Sequence, residues 1–413
     1  TKNFKGVLSL LAGNTISKVI VMVGGIVLAN YYGPESYGIY NVFLSYILIL
    51  PVLSTLRLDS IMILQRGSKE IRNLFSGIVV ISFLLTFLLI SVMVILKLTG
   101  VTNFEMSYFI LFLTGIGAVL TGWNLTQNNL FTKYKFFNQI STAFVISSLI
   151  SVVFQAIFYF LGREENGLIY GWITGLVASF LYNFSVSKGQ LIRFNIPQFK
   201  SSVKEHINIV KYTYPSDSLN AIANNILPII VIHYFVATEI GLYGMAFKIL
   251  STPLVLLSSS VSRVYFQKAV SLSRTNLKSL EKLTHKVIFS NVAIIFAFVL
   301  FINTIGIYLL DYFLKDSWDG LGSFILALSF WILARSAMNP IASLVVVINK
   351  NHYSLIFNIY LLVCNFISIY FGVVKDDFLI CIWIFSILSG IGYLVLLGIV
   401  LYNLNKNVKI SKS

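Results

Sequence analysis

Apolar runs of roughly 18 or more residues recur along the whole chain, separated by short polar turns and a few longer basic ones. About 20 apolar residues at 1.5 Å each cross a hydrocarbon core of ~30 Å, so each run reads as a membrane-spanning helix. The two-residue alternation of a membrane barrel is absent. The pattern predicts twelve spans, near 7–30, 39–62, 74–98, 106–130, 140–162, 168–187, 211–235, 242–266, 285–310, 322–347, 353–373 and 378–402. The first lacks the short apolar core and small-residue cleavage site of a signal peptide, so it is expected to stay in the mature protein.

The longest polar connection divides these spans into an N-terminal six-helix bundle, 1–187, a cytoplasmic connecting segment, 188–210, and a C-terminal six-helix bundle, 211–413. An internal echo supports a duplicated architecture. PESYGIY at 34–40 and ATEIGLY at 237–243 each fall in the external turn before the second span of their half. The expected fold is an all-α polytopic membrane protein of about 12 transmembrane helices, in two six-helix bundles around a central cavity.

Composition agrees, with 57% hydrophobic and 11% charged residues and a mean hydropathy of +0.86. A net charge of +15 would suggest nucleic acid, but the placement of the cations decides otherwise. Of the Lys and Arg residues, 21 fall in segments on the side of the N-terminus and 4 (Lys97, Arg163, Lys315, Lys375) on the opposite side. By the positive-inside rule both termini are cytoplasmic, and no nucleic-acid partner is expected. Cys364 and Cys381 lie inside apolar spans and act as small hydrophobes, without disulfide or metal spacing. No cofactor is implied.

The external turns are all too short to hold the acceptor and acid/base groups of a membrane glycosyltransferase, ligase or polymerase, so an enzyme is not expected. Lys375-Asp376-Asp377 reads as a solvated turn. No phosphate-cradling glycine loop points to an attached ATPase.

The candidate chemistry lies inside the spans. Lys18 sits near the middle of the first one, where a lysine costs about 2.5–3.5 kcal/mol on insertion scales and marks a pathway or cavity. Asn14, one turn earlier, shares its face, as does Gly25. Arg335 is the second central cation, in the tenth span, with Asn339 one turn on and Pro340 following. Arg57 and Asp59 lie about one turn from the cytoplasmic edge of the second span, where Arg57 reads either as snorkelling or as a ligand contact. Lys248, in the outer third of the eighth, has the same two readings. Asp217, Asn220, Asn224 and Pro228 draw a polar stripe along the seventh span, either the side of a hydrated cavity with a proline hinge or interhelical hydrogen-bonding groups. Asn124 and Gln127 or Asn128 read as packing groups, and the four histidines lie near span ends or in loops. Embedded cations (Lys18, Arg57, Lys248, Arg335) outnumber embedded acids (Asp59, Asp217), which suits an anionic substrate.

The segment LANYYGPESYGIYNVFLSYILILPVLSTLRLDSIMILQR, residues 28–66, resembles the opening of the O-antigen (Wzx-type) polysaccharide flippases, in the multidrug/oligosaccharidyl-lipid/polysaccharide (MOP) exporter superfamily. The resemblance continues in EIGLYGMAFKIL at 239–250 and in the pair Asn339-Pro340. It implies alternating access and passage of an undecaprenyl-diphosphate-linked oligosaccharide from the cytoplasmic to the periplasmic leaflet of a bacterial inner membrane. It also implies a polysaccharide polymerase and chain-length machinery as partners. The substrate-binding set expected here is Lys18, Arg335, Lys248, Arg57, Asn14 and Asn339, with Lys18 and Arg335 on one shared cavity. Many relatives carry Asp-Arg in the seventh helix where this chain has Leu227-Pro228, so a coupling role moves to Asp217 or Asp59. Two other readings stay open, an ion-coupled multidrug exporter of the same superfamily and a membrane glycan polymerase or ligase.

Overall fold

The computed structural model describes residues 2–65, 67–100, 107–187, 194–314, 316–350 and 352–410, the side chains of 2–8, 260, 409 and 410 excepted. Of the loop cations counted above, Arg66, Lys188, Arg193, Lys315 and Lys412, and the side chains of Lys2, Lys5 and Lys409, lie outside the described residues. The described chain is helical throughout. Its first half runs α1 (Lys2–Ala29), α2 (Pro34–Thr55), α3 (Leu58–Leu64), α4 (Ser68–Leu98), α5 (Tyr108–Lys133), α6 (Phe137–Phe160) and α7 (Gly167–Ser187). Next come α8 (Ile196–Glu205), α9 (Tyr214–Val231), α10 (Ala237–Thr275), α11 (Leu277–Phe301) and α12 (Ile307–Phe313). The chain ends with α13 (Leu321–Met338), α14 (Leu344–Val347), α15 (His352–Lys375) and α16 (Phe378–Ile410).

Among the described residues, 11 helices are long and apolar enough to cross a membrane, giving an all-α polytopic membrane fold. The remaining predicted span is α9. Its 18 residues meet the length, but the stripe of Asp217, Asn220 and Asn224 keeps its apolar content too low. The chain forms two compact units, Thr1–Ala237 and Thr238–Ser413, so the boundary falls after α9. The reason is local packing: α9 lies on α2, and the Tyr214 hydroxyl donates to the Leu53 carbonyl at 3.4 Å.

In the first unit, Pro34 at the first turn of α2 supplies the fixed φ a helix start favours. Gly38, one turn on, is required by a close approach, because a Cβ there would stand 1.9 Å from the Ala237 carbonyl oxygen. Gly38 and Gly241 are each the fifth residue of their helix, which gives the echoed motif the same register in both units. At the other end of α2 the helix breaks at Leu56 and Arg57, both left-handed, with φ of 52° and 57°. Side chains at such angles cost about 1 kcal/mol each, so the surroundings must hold the bend. They do so through a core of Leu58, Ile61 and Met62 on α3, Leu74 and Ile78 on α4, and Phe199 on α8. The short amphipathic α8 is fastened there by Asn73, whose amide donates to the Asn195 carbonyl at 3.0 Å and accepts from the Asn195 N–H at 2.8 Å.

In the second unit α13 packs against α16, and α16 against α15. Pro340 ends α13, because a proline cannot donate to the carbonyl four residues back, that of Ser336. Buried Asn291 of α11 takes its place, donating Nδ2 to the Ser336 oxygen at 2.6 Å. Asn291→Leu leaves that buried carbonyl unsatisfied and is expected to lower stability by about 1–3 kcal/mol. A thermal melt of the purified protein in detergent checks this, and an unchanged midpoint would contradict it.

Candidate substrate site

In the first unit Lys18 sits half-buried on α1. At about 100° per residue, Asn14, Lys18 and Gly25 fall within a narrow sector. Ile16, Val19, Val23 and Val27, between 40% and 52% exposed, lie on the far side of the helix. Gly25 is buried and its carbonyl accepts a hydrogen bond from the Tyr37 hydroxyl, so that sector turns toward α2 at its Gly25 end. Lys18 therefore points away from the apolar stripe that meets lipid.

The break between α2 and α3 carries a charge cluster that joins Arg57 and Asp59 to Asp217 of α9. Arg57 Nε lies 2.6 Å from Asp217 Oδ2, and its Nη1 lies 3.7 Å from Asp59 Oδ2. Asn129 of α5 donates Nδ2 to the same Asp59 oxygen at 2.7 Å. Asp59 is 0% exposed, whereas Arg57 and Asp217 are 27% and 32% exposed. A carboxylate so deep survives as an ion only with a cation and hydrogen bonds beside it, and Arg57 and Asn129 supply both. Asp59 Oδ1 has no hydrogen-bond partner. Arg57 thus divides its charge between two acids on different elements, and it sits just beyond the C-terminal end of α2, where the helix dipole favours a cation. The stripe on α9 is resolved as well: Asp217 is an ion-pair group, while Asn224 Nδ2 turns back to Asn220, 2.8 Å from its carbonyl.

In the second unit Arg335 occupies the last turn of α13, not the middle of a continuous tenth helix, because Pro340 ends the α-helix after Met338. The carbonyl end of α13 favours the cation there. Its guanidinium lies 4.9 Å from the centre of the Trp331 ring. Trp331 is stacked in turn on Phe247 of α10, ring centres 5.3 Å apart, and packs on Phe385 of α16. Lys248 follows Phe247 on α10 and is half-buried, as Arg335 is. Among the described residues neither Lys248 nor Arg335 forms an ion pair, and Arg335 Nε is buried without a hydrogen-bond partner. Asn339 lies half-buried in the single turn that follows α13.

Asn124 behaves as packing chemistry, donating to the Leu176 carbonyl at 3.2 Å and accepting from Asn183 at 3.3 Å. Sequence reasoning missed Trp331, Phe247 and Asn129. Trp331 was legible, four residues before Arg335 on one helix face. Phe247 and Asn129 meet their partners only through the fold.

No group of three or more His, Cys, Asp or Glu side chains that could hold a metal ion occurs among the described residues. Cations at interrupted helix ends, one of them backed by aromatic rings, can hold a phosphate beside an apolar or sugar face. The profile of polysaccharide biosynthesis proteins matches residues 4–266. The chain belongs to that family. Among solved structures it is similar to a lipid II flippase MurJ in an inward closed conformation, with a TM-score of 0.70, 18% identity, and 97% of this chain and 89% of that one covered. It is also similar to an inward-facing multidrug resistance MATE family transporter of the MOP superfamily, with a TM-score of 0.66, 16% identity, and 97% and 99% covered. A MOP superfamily transporter from Pyrococcus furiosus, described as having a binding pocket of reversed polarity, follows at a TM-score of 0.52 and 15% identity, with 100% and 97% covered. These identities establish a shared fold. A comparison with curated proteins finds no match.

Proposed function

We propose that this chain is a flippase that carries an undecaprenyl-diphosphate-linked oligosaccharide repeat unit across a bacterial inner membrane, from the cytoplasmic to the periplasmic leaflet, by alternating access. Both termini are cytoplasmic in this reading. The protein is a transporter rather than an enzyme, and its product is handed to a polysaccharide polymerase and chain-length machinery. The observation that carries the reading is Arg335, a cation without an acidic partner among the described residues, held over Trp331 at an interrupted helix, in a member of a polysaccharide biosynthesis family. The cations of this reading's substrate-binding set are Arg335 and Lys248 in the second unit and Lys18 in the first, with Asn339 and Asn14 as hydrogen-bonding groups. Aromatic rings such as Trp331 suit the apolar faces of sugars.

Arg57 joins this set conditionally. While Asp59 or Asp217 is charged it occupies Arg57; only with both acids neutral is Arg57 free for a phosphate. That gives the two acids a coupling role, since proton uptake and substrate binding then favour the same state.

The test is reconstitution into vesicles loaded on one leaflet with a labelled undecaprenyl-diphosphate oligosaccharide. Transfer to the other leaflet well above that of protein-free vesicles, reduced about tenfold or more by Arg335→Ala, is the expected result. Transfer equal to that of empty vesicles overturns the assignment. The similarity to a multidrug transporter keeps an ion-coupled exporter as the second reading. Loss of resistance to cationic dyes on deletion, with normal surface glycan, would favour it.

A further inference from the structure

The second unit has a groove of about 480 Å³ on the hairpin of α10 and α11, whose lining does not include Arg335 or Lys248. One side is Leu257, Val261 and Val264 of α10, and the other is Val287 and Ile294 of α11. Val264 and Ile294 are 55% and 49% exposed, so the groove opens toward the surrounding bilayer. Tyr265 lines it from α10, fully buried and joined to buried Thr284 of α11 by a 2.8 Å hydrogen bond. Lys268 and Lys286 stand exposed on the groove, one on each helix, on either side of the level at which Tyr265 meets Thr284. From Leu257 to Lys268 the groove extends about 16 Å along α10, roughly half of a ~30 Å hydrocarbon core. It is therefore one leaflet deep, apolar along its length and flanked by two cations. The hairpin turn beyond it adds Arg274, Lys278 and Lys282 against the single acid Glu281.

We infer that this groove is a binding site for an anionic phospholipid of the leaflet on the basic side of the membrane. One acyl chain lies along Val261, Val264 and Val287, and the headgroup phosphate sits between Lys268 and Lys286. Two lysines on one groove repel each other until an anion bridges them, and a juxtamembrane cation attracts an acidic lipid by about tenfold at most per charge. The site does not depend on the flippase reading, because its ligand is a bulk component of the bilayer.

Native mass spectrometry of the purified protein, titrated with phosphatidylglycerol or phosphatidylcholine, tests it. The wild type is expected to retain phosphatidylglycerol in preference, and Lys268→Gln with Lys286→Gln to weaken that retention about tenfold or more. Val264→Trp, which fills the groove from its open side, is expected to weaken retention of the same lipid with both lysines in place. Lys278→Gln with Lys282→Gln, on the same hairpin but outside the groove, should leave it unchanged. Equal retention of the two lipids by the wild type, or undiminished phosphatidylglycerol binding in the Lys268/Lys286 variant, overturns the proposal. Displacement of phosphatidylglycerol by an equal amount of undecaprenyl phosphate also overturns it, by giving the groove to a polyisoprenoid.

Discussion

Lys18→Ala and Arg335→Ala are each expected to abolish the surface glycan of cells that depend on this protein for it, with the protein still in the membrane at its normal level. Removing one charge that faces a desolvated diphosphate costs about 2–5 kcal/mol of binding, enough to stop transport at ordinary substrate levels. Arg335→Ala strands no acid, because Arg335 forms no ion pair among the described residues, so the fold should survive. Lys18 lies on the face of α1 opposite exposed Ile16, Val19 and Val23, so its loss leaves the lipid-facing stripe unaltered. Arg335→Lys keeps the charge but loses the planar contact on Trp331, and should retain partial function. Quantitative glycan staining beside a membrane immunoblot reads both effects. Wild-type glycan in both alanine variants would refute the site.

Arg57→Ala should act differently, by damaging the protein itself. It leaves Asp59 fully buried with only Asn129 beside it, and a buried acid without its cation costs about 3 kcal/mol, less whatever solvent reaches the half-open Arg57 position. The melting temperature in detergent should fall by several degrees, and the second change Asp59→Asn should restore most of it. Asp217→Asn, at a site 32% exposed, should shift stability by about 1 kcal/mol or less. An Arg57→Ala protein as stable as the wild type would show that the cluster does not hold the α2–α3 bend.

The membrane-spanning helices were legible because apolar periodicity is a local signal: each run announces its own length. The break at Pro340 goes unread in that pattern, although a proline removes a donor wherever it stands: the tenth span is drawn through it to 347, which sets Arg335 at its middle instead of its last turn. The bend at Leu56 and Arg57 was not, because left-handed residues other than glycine leave no mark on the sequence and are held by distant packing, here from Phe199 on α8. The Arg57–Asp217 pair joins residues from different spans, and only the packing of α9 on α2 brings them together. That packing also moves α9 into the first compact unit, whereas the polar connection before it suggested the second half. The site cations could be named from their apolar surroundings. Which of them are already neutralised could not.

The central claim is that this protein moves a lipid-linked oligosaccharide between leaflets, and the direct measurement is where that lipid collects when the protein is removed. Spheroplasts and inverted membrane vesicles from deletion cells, probed with a membrane-impermeant lectin or glycosidase, report the face on which the sugar lies. Lipid-linked single repeat units trapped on the cytoplasmic face, reached only in inverted vesicles, are the predicted result. Accumulation of the same units on the periplasmic face would contradict it and point to a missing polymerase or ligase activity instead.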